Sequence, residues 1–209
     1  MSASIVSPVV TRRPKPVVIG SCGSNLASLG FALERLGVTA PVTEDPDQVR
    51  AASHVILPGV GSAGAGMERL KRAGLADVVP TLKQPVLGIC LGMQLLFRSS
   101  EEDDTTGLGV IPGAVRRFPR SAEHPVPHMG WNGLSLRGDS PLTAGLEDGG
   151  YAYFIHSYAV PVGPWTRGVT HYGIEFSAIV EHENFFGTQF HPERSSRLGA
   201  LLLQNFLML

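Results

Sequence analysis

The sequence has 209 residues, of which 43% are hydrophobic and 17% charged, and its formal net charge is −1. This composition is typical of a globular protein with one substantial core, and the near-neutral charge gives no electrostatic basis for binding nucleic acid or an anionic membrane. No apolar run reaches the length of a membrane span, residues 1–16 lack the apolar core of a signal peptide, and two cysteines are too few for a disulfide framework. We therefore expect a cytoplasmic protein that binds neither nucleic acid nor membrane.

The N-terminal part predicts a flexible tail and then the start of a parallel α/β sheet. Residues 1–16 contain three prolines among Ser, Thr and Arg, whereas residues 17–209 are expected to form a single domain. A strand at 17–21 precedes a helix at 25–36, whose leucines repeat at helical spacing. The turn between them, SCGSN, lacks the glycine spacing and the lysine of a phosphate-binding loop. A phosphate role is therefore disfavoured, and the role of Cys22 is left open.

A second buried strand, at 54–57, ends in the sequence PGVG at residues 58–61. Glycines after a strand can let backbone N–H groups turn towards a ligand, as an oxyanion hole requires. From these residues alone, an ordinary turn is the simpler interpretation. Two amphipathic helices are predicted to follow, at 63–72 and 75–83.

The sequence PVLGICLGMQLLF, residues 85–97, predicts a buried strand, a sharp turn and a helix. Gly88 and Gly92 flank Cys90 at two residues on either side, which is the G-x-nucleophile-x-G pattern of a strand-to-helix elbow. A β-carbon beside the nucleophile would collide with the neighbouring strand or helix. The thiol would stand at a helix N-terminus, which favours thiolate. A buried structural cysteine remains the alternative for this motif taken alone.

The rest of the chain predicts further elements of the same domain. The acidic residues 101–104 indicate a solvated loop, and the Gly- and Pro-rich segment 108–146 shows a short β-type run at 113–118 but no second core. By default, PHMGWN at 127–132 indicates core or turn packing. Strands are predicted at 151–160, 174–180 and 185–190, the last two as neighbours, and a final helix at 195–207. The seven histidines are scattered and neither cysteine has a second thiol nearby in sequence, so we expect no metal site.

The sequence GTQFHPE, residues 187–193, alternates as a strand does before Pro192 prevents a helix from following. In an extended segment, residues two apart point the same way, so Glu193 can lie beside His191 and hold its imidazole in one tautomer. A cysteine, a histidine and an orienting carboxylate make a nucleophilic triad whose members meet only in the fold.

The motifs GICLGMQ and QFHPE together resemble those of the class I glutamine amidotransferase family, whose triad is Cys, His and Glu. PGVG, PHMGWN and YFIHSY (153–158) are similar, in combination and order, to the glutaminase subunits of imidazole glycerol phosphate synthases. The resemblance extends over residues 17–209. It implies an α/β, flavodoxin-like three-layer fold with a mostly parallel central sheet, a nucleophile elbow and a smaller antiparallel β part.

The resemblance also implies roles for particular residues. The catalytic triad would be Cys90, His191 and Glu193, and the oxyanion donors would be the backbone N–H groups of Val60 and Leu91. The glutamine site would consist of Gly59, Gly61, Gln94, Glu102, His156, Ser157 and Tyr158, with the choice between Glu101 and Glu102 left open. The surface that docks on a partner would include Met129, Trp131, Asn132 and Arg194. No cofactor and no metal are implied.

The function that the resemblance implies is hydrolysis of L-glutamine to glutamate and ammonia. The ammonia would pass to a barrel-shaped cyclase subunit, in a heterodimer that makes imidazole glycerol phosphate and aminoimidazole carboxamide ribotide for histidine biosynthesis. One alternative is the glutaminase subunit of anthranilate, aminodeoxychorismate or pyridoxal phosphate synthase, which PHMGWN, YFIHSY and Arg194 after HPE disfavour. Others are a non-catalytic regulatory subunit and a thiol-based stress protein, neither of which would need the intact triad.

Overall fold

The computed structural model describes residues 14–20 and 26–209, so the SCGSN turn with Cys22 and most of the predicted tail lie outside the described residues. The helices of the described part are α1 (Leu26–Arg35), α2 (Pro46–Ala51), α3 (Ala63–Arg72), α4 (Leu91–Leu95) and α5 (Ser196–Leu207). Its strands are β1 (Pro16–Ile19), β2 (Val42–Thr43), β3 (His54–Gly59), β4 (Val86–Cys90), β5 (Phe97–Ser100), β6 (Thr105–Thr106), β7 (Ile111–Arg117), β8 (His128–Gly133), β9 (Ser135–Leu136), β10 (Tyr151–His156), β11 (Tyr158–Ala159), β12 (Thr166–Tyr172), β13 (Ile174–His182) and β14 (Phe185–Thr188).

Within these described ranges, an eight-stranded sheet forms the centre, in the order β2-β1-β3-β4-β14-β13-β12-β9. The strands from β2 to β14 pair in parallel, and the remaining pairs are antiparallel. Two smaller sheets lie beside it, one of β10 with β8 and one in the order β11-β7-β5-β6. This arrangement confirms the predicted α/β fold with a mostly parallel central sheet.

Helices cover both faces of the parallel strands, which gives the three layers. Val55 and Leu57 of β3 pack into a buried cluster with side chains of α3 and α4. Ile56, between them, points to the opposite face and packs with side chains of α1 and α5. Parallel strands buried on both faces are apolar at nearly every position, as β3 and β4 are here.

The parallel part of the sheet sets the position of the elbow. Strand β4 lies between β3 and β14, with Cys90 aligned to Gly59 and Ile89 aligned to Thr188. Because the three strands run in the same direction, their carboxyl ends meet at one edge, where ligands of open α/β sheets bind. The ends of β3, β4 and β14 lead directly to PGVG, to the elbow and to His191.

The structure differs from the sequence-based prediction in two helices. The predicted helix at 75–83 is instead a short 3₁₀ turn at Val79–Thr81. Gly74, with φ +68°, ends the preceding helix α3 in a left-handed turn, and Pro80 has no N–H group to donate to a helical hydrogen bond. The helix after the elbow ends at Leu95, and Phe97 begins β5 instead. The carbonyl of Leu95 accepts from the Leu108 N–H and that of Leu96 from the Ile111 N–H. Pairing with a later segment therefore replaces the helical bonds.

Gly92 allows the elbow to pack against β3. A β-carbon there would overlap the carbonyl oxygen of Leu57, and one on Gly88 would lie 2.6 Å from the Met93 nitrogen. We expect Gly92→Ala to lower the free energy of unfolding by about 3 kcal/mol or more. Gly30 in α1 is the matched control, because a β-carbon there meets nothing within 4 Å and Gly30→Ala should stabilise by up to about 1 kcal/mol. Urea unfolding of both variants measures this, and equal effects would contradict the packing argument.

Candidate active site

The cysteine of the elbow sits in a strained backbone conformation. Cys90 ends β4 and precedes α4, with φ 54° and ψ −111°, a combination that costs a non-glycine residue on the order of 1–3 kcal/mol. Flanking residues hold this conformation because Gly88 and Gly92 allow the backbone to pack closely on both sides. The sulfur is buried from bulk solvent but lines a pocket.

His191 lies at the same pocket as Cys90, and Glu193 lies beside His191, which is the order of contacts that a triad requires. The imidazole and Cys90 line the same pocket, and the Nδ1 of His191 is 2.8 Å from Oε1 of Glu193. Both side chains are largely buried. The segment is anchored by the His191 N–H, which donates to the Tyr153 carbonyl, and by the Ser195 hydroxyl, which donates to the His191 carbonyl. The ring therefore has one fixed orientation.

The charge state of the pair follows from its surroundings. Burial alone lowers the pKa of His191, but the hydrogen bonds to Cys90 and Glu193 and their negative charges outweigh it and raise the pKa to about 10. The raised pKa favours a protonated imidazole at neutral pH, and this positive charge can stabilise negative charge that develops on the neighbouring sulfur.

A pocket of about 270 Å³ opens in front of Cys90. Its lining contains the triad members Cys90 and His191, the predicted oxyanion residues, and most of the predicted glutamine-binding residues. The lining residues are Val60, Gly61, Cys90, Leu91, Gln94, Glu102, Pro127, Ile155, His156, Ser157, Tyr158 and His191. Gly59 is absent from this lining. It is buried against Leu91 and Gly92 instead, where a β-carbon would clash.

The structure distinguishes the two neighbouring glutamates. Glu102 lines the pocket, and its Oε2 accepts from the Ala63 N–H at 2.8 Å, at the start of α3. Burial raises its pKa above the ordinary value. Glu101 turns away and pairs with Arg116 at 2.7 Å while accepting from the Arg117 N–H. Glu102 is thus the glutamate that can reach a bound ligand.

A buried histidine pair, which the sequence did not predict, forms one wall of the pocket. Because the Tyr158 carbonyl can only accept, Nδ1 of His156 donates to it at 2.8 Å, and Nε2 of His156 is left to accept from Nδ1 of His128 at 3.0 Å. The Nε2 of His128 then accepts from the amide nitrogen of Asn132 at 3.3 Å. Both ring nitrogens of His156 are occupied, so only its backbone is free to contact a ligand.

The histidine pair should make the fold sensitive to acid. Burial lowers the pKa of His156 to about 3 and that of His128 to about 4, whereas an unfolded histidine titrates near 6.5. The unfolded state then binds more protons between these values, so stability falls as the pH falls through this window.

Each histidine contributes up to about 1.4 kcal/mol per pH unit in that window. Urea unfolding at pH 7 and pH 5 should show a shallower pH dependence for His156→Gln than for the wild type. An unchanged dependence in the variant would contradict a neutral buried His156.

The predicted docking residues lie on the sheet of β8 and β10. On the outer face, Met129 is 64% exposed and Trp131 53%, and they are flanked by Tyr151 and Ile155, also exposed. Asn132 lies on the other face of this sheet, and its place in an interface stays a prediction. Strand alternation turns it inward, where its amide nitrogen donates to the His171 carbonyl as well as to His128.

The exposed Arg194 extends this surface, which we call the β8/β10 face. Its guanidinium lies 5.9 Å from the centroid of the Tyr153 ring, which is paired across the strands with Trp131. A cation over an aromatic ring is attracted to the face of the ring. The β8/β10 face is thus defined by Met129, Trp131, Tyr151, Tyr153, Ile155 and Arg194.

Sequence reasoning missed Gln189 as a site residue. It is fully buried, and its Nε2 lies 3.7 Å from the Cys90 sulfur. The sequence offered an indication of this role, because Gln189 precedes His191 by two residues in a segment predicted to be extended. At that spacing the two side chains would face the same side. His128 carried no comparable signal, since its partner His156 is 28 positions away.

Metal-binding clusters and membrane-spanning helices are both absent from residues 14–20 and 26–209. Those ranges contain no group of three or more His, Cys, Asp or Glu side chains arranged to hold a metal ion. They also contain no helix with the length and hydropathy needed to cross a membrane.

Comparison with known proteins adds to this geometry. Residues 19–209 match the family model described as Glutamine amidotransferase class-I. The "Imidazole glycerol phosphate synthase subunit HisH 2" of Legionella pneumophila strain Philadelphia 1 is 51% identical over 192 residues, covering 92% of this chain and 96% of that protein. The "Imidazole glycerol phosphate synthase subunit HisH" of Idiomarina loihiensis is 48% identical, covering 92% of this chain and 97% of that protein. A chain of the structure of PurLQS from Thermotoga maritima shares the fold with a TM-score of 0.69 at 21% identity, over 94% of this chain and 99% of that chain.

Proposed function

This chain belongs to the class I glutamine amidotransferase family, and we propose that Cys90, His191 and Glu193 carry its reaction. Within the family it is the glutaminase subunit of an imidazole glycerol phosphate synthase, an enzyme of histidine biosynthesis. The observation that carries the proposal for the triad is the placement of Cys90 and His191 at one pocket, with His191 hydrogen-bonded to Glu193 at 2.8 Å. The thiolate of Cys90, with a protonated His191 beside it, is the form of the nucleophile that reacts.

The first half of the reaction forms a thioester. The Cys90 thiolate attacks the side-chain carbonyl carbon of L-glutamine, and the carbonyl oxygen becomes an oxyanion. Backbone N–H groups of Leu91, directly after the nucleophile, and of Val60, directly after β3, both belong to residues that line the pocket and would donate to that oxygen. His191 gives its proton to the departing nitrogen, and ammonia leaves.

The second half hydrolyses the thioester. The now neutral His191 takes a proton from water, the resulting hydroxide attacks the carbonyl carbon, and the Cys90 thiolate leaves as glutamate forms. Glu193 keeps its hydrogen bond to Nδ1 throughout, which holds Nε2 towards the reacting atoms and stabilises the imidazolium. The sum is glutamine plus water giving glutamate plus ammonia.

The remaining pocket residues would orient the substrate. The Glu102 carboxylate can pair with the substrate α-ammonium, and Gln94 also lines the pocket. Ser157 and Tyr158 line the pocket where the chain turns between β10 and β11, and would bind the α-carboxylate. Gly61, with φ +95°, gives the PGVG turn a conformation that only glycine adopts readily.

The β8/β10 face supports a cyclase partner. It combines exposed aromatic and aliphatic side chains with an arginine, the residue types that dominate interface energetics. Strand β10 also contacts the triad directly, because the Tyr153 carbonyl accepts from the His191 N–H and the Ile155 carbonyl lies 3.8 Å from the Cys90 sulfur. A barrel-shaped cyclase docked on this face would receive ammonia beside the site that makes it. We further propose that the heterodimer works in the cytoplasm, where a free thiolate stays reduced.

Glutamate release from L-glutamine tests this function. The purified chain is assayed alone, then with the cyclase subunit, and then with the cyclase and its ribonucleotide ligand. Strong stimulation in the full mixture is expected, and Trp131→Ala should weaken the stimulation while ammonia-dependent synthesis by the cyclase continues. If glutamate release is the same with and without the cyclase, the proposal for the triad stands and the proposal for the partner is wrong. If no mixture releases glutamate, the catalytic proposal is wrong.

A further inference from the structure

A chain of buried side-chain amides leads from the pocket wall to the nucleophile. The Tyr158 carbonyl is an acceptor only, so the atom of Gln94 that lies 2.9 Å from it must be the nitrogen, Nε2. That same nitrogen lies 2.9 Å from the side chain of Gln189, whose facing atom must therefore be the oxygen, Oε1. The amide orientation of Gln189 is thus fixed by hydrogen bonding.

The consequence is that Gln189 points its N–H group at the cysteine. Its Nε2 lies 3.7 Å from the Cys90 sulfur, within the range of a hydrogen bond to sulfur. Gln189 is completely buried, and a buried amide is costly unless its polar atoms are paired. Its oxygen is paired with Gln94, and its nitrogen faces the sulfur.

The Cys90 sulfur has both a hydrogen-bond acceptor and hydrogen-bond donors as neighbours. The Ile155 carbonyl, 3.8 Å away, can only accept, so it suits a protonated thiol. The Gln189 N–H, like protonated His191, can only donate towards the sulfur, so it suits a thiolate. Ionisation of Cys90 therefore breaks one contact and strengthens the other two.

We propose that Gln189 is a catalytic residue that donates a hydrogen bond to the Cys90 thiolate, both before attack and when the thiolate leaves the hydrolysed thioester. The inference rests on the proposed function of the triad and adds a second donor to its nucleophile. His191 gives its proton to the departing ammonia during thioester formation, so it can no longer donate to the sulfur at that stage. Gln189 keeps its N–H group through both thioester formation and thioester hydrolysis. Gln94 is the positioning residue, because its amide fixes the orientation of Gln189.

Gln189→Met tests the proposal, since methionine keeps the length of the side chain and removes the donor. Two rates are measured: alkylation of Cys90 by iodoacetamide, followed on the Cys90 peptide by mass spectrometry, and glutamate release with the cyclase present. Both the alkylation rate and kcat are expected to fall on the order of tenfold to a hundredfold, with KM changed by less than about threefold. Cys22 serves as an internal reference for reagent reactivity.

Gln84→Met is the matched control, because Gln84 is another glutamine whose Nε2 donates to a backbone carbonyl, that of Val49 at 3.0 Å, away from the pocket. Its alkylation rate and kcat should stay near those of the wild type. If Gln189→Met proves unstable to urea, Gln189→Glu replaces it, since it keeps the acceptor for Gln94 but presents a carboxylate to the sulfur and should slow both rates further.

An active wild type together with unchanged alkylation and kcat in a folded Gln189 variant would overturn this proposal and leave the triad intact. Loss of activity in the wild type itself would instead count against the proposed function. A fall in kcat with an unchanged alkylation rate would also overturn it, because the hydrogen bond is made to the free thiolate.

Discussion

Cys90→Ala is expected to abolish glutamine-dependent synthesis by the complex with the cyclase while ammonia-dependent synthesis stays near the wild-type rate. The alanine variant cannot form the thioester, and removal of a covalent nucleophile costs a rate factor of about 10⁴ or more. The cyclase does not need Cys90 when ammonia is supplied directly. The two rates are measured side by side on the same complex, with glutamine or with an ammonium salt as the nitrogen source.

The Cys22→Ser variant is the control for general effects of removing a thiol, because the proposed reaction forms its thioester on Cys90. It should retain glutamine-dependent synthesis. Intact glutamine-dependent turnover in Cys90→Ala would remove Cys90 from the nucleophile role. Loss of the ammonia-dependent rate as well would show that the substitution damaged the complex and not the chemistry alone.

His191→Asn is expected to slow thioester formation by about 10³-fold or more, because the variant loses both the cation that stabilises the thiolate and the acid that protonates ammonia. Rapid mixing with glutamine and quenching at short times measures the acylation rate separately from hydrolysis.

The acylation rate of Glu193→Gln should fall between those of His191→Asn and the wild type. Glutamine keeps a hydrogen bond to Nδ1 but removes the negative charge that helps to raise the pKa of His191.

His171→Asn is the control for His191→Asn, since the His171 side chain is exposed and lies outside the pocket. Its acylation rate should match the wild type. A normal acylation rate in His191→Asn would count against His191 as the proton carrier and would require another acid at the pocket.

The elbow could be predicted from sequence because its cause is local. Two glycines at fixed distances from Cys90 allow the close packing of the elbow: a β-carbon on Gly92 would meet the Leu57 backbone of β3, and one on Gly88 would meet the backbone of Gly92 and Met93 in α4. Residues 75–83 could not be predicted in the same way. Leu75, Val78, Val79 and Leu82 have helical spacing and are all buried, but Pro80 and the tertiary contacts decide the backbone.

The site was predicted where its members are neighbours in sequence or carry a motif, and missed where they meet through the sheet. The contact between His191 and Glu193 was predicted from a strand-like spacing of two residues, but the structure places Glu193 in a 3₁₀ turn at Pro192–Arg194. The turn after His191, and not strand periodicity, brings the two side chains together. Gln189 shares that periodicity but was not assigned, and the contact between His128 and His156 depends on the pairing of β8 with β10. That same pairing turns Asn132 away from Met129 and Trp131, whereas the sequence predicted only core or turn packing for PHMGWN and no strand.

The central claim is that glutamine is hydrolysed through a thioester on Cys90, and mass spectrometry of acid-quenched enzyme tests it most directly. The complex is mixed with L-glutamine, quenched within milliseconds to seconds, and digested so that the Cys90 peptide is observed. We predict a transient glutamyl adduct on that peptide which forms and decays at rates consistent with kcat. Glutamate release without any adduct on Cys90 at any quench time, or an adduct on another residue, would contradict the account.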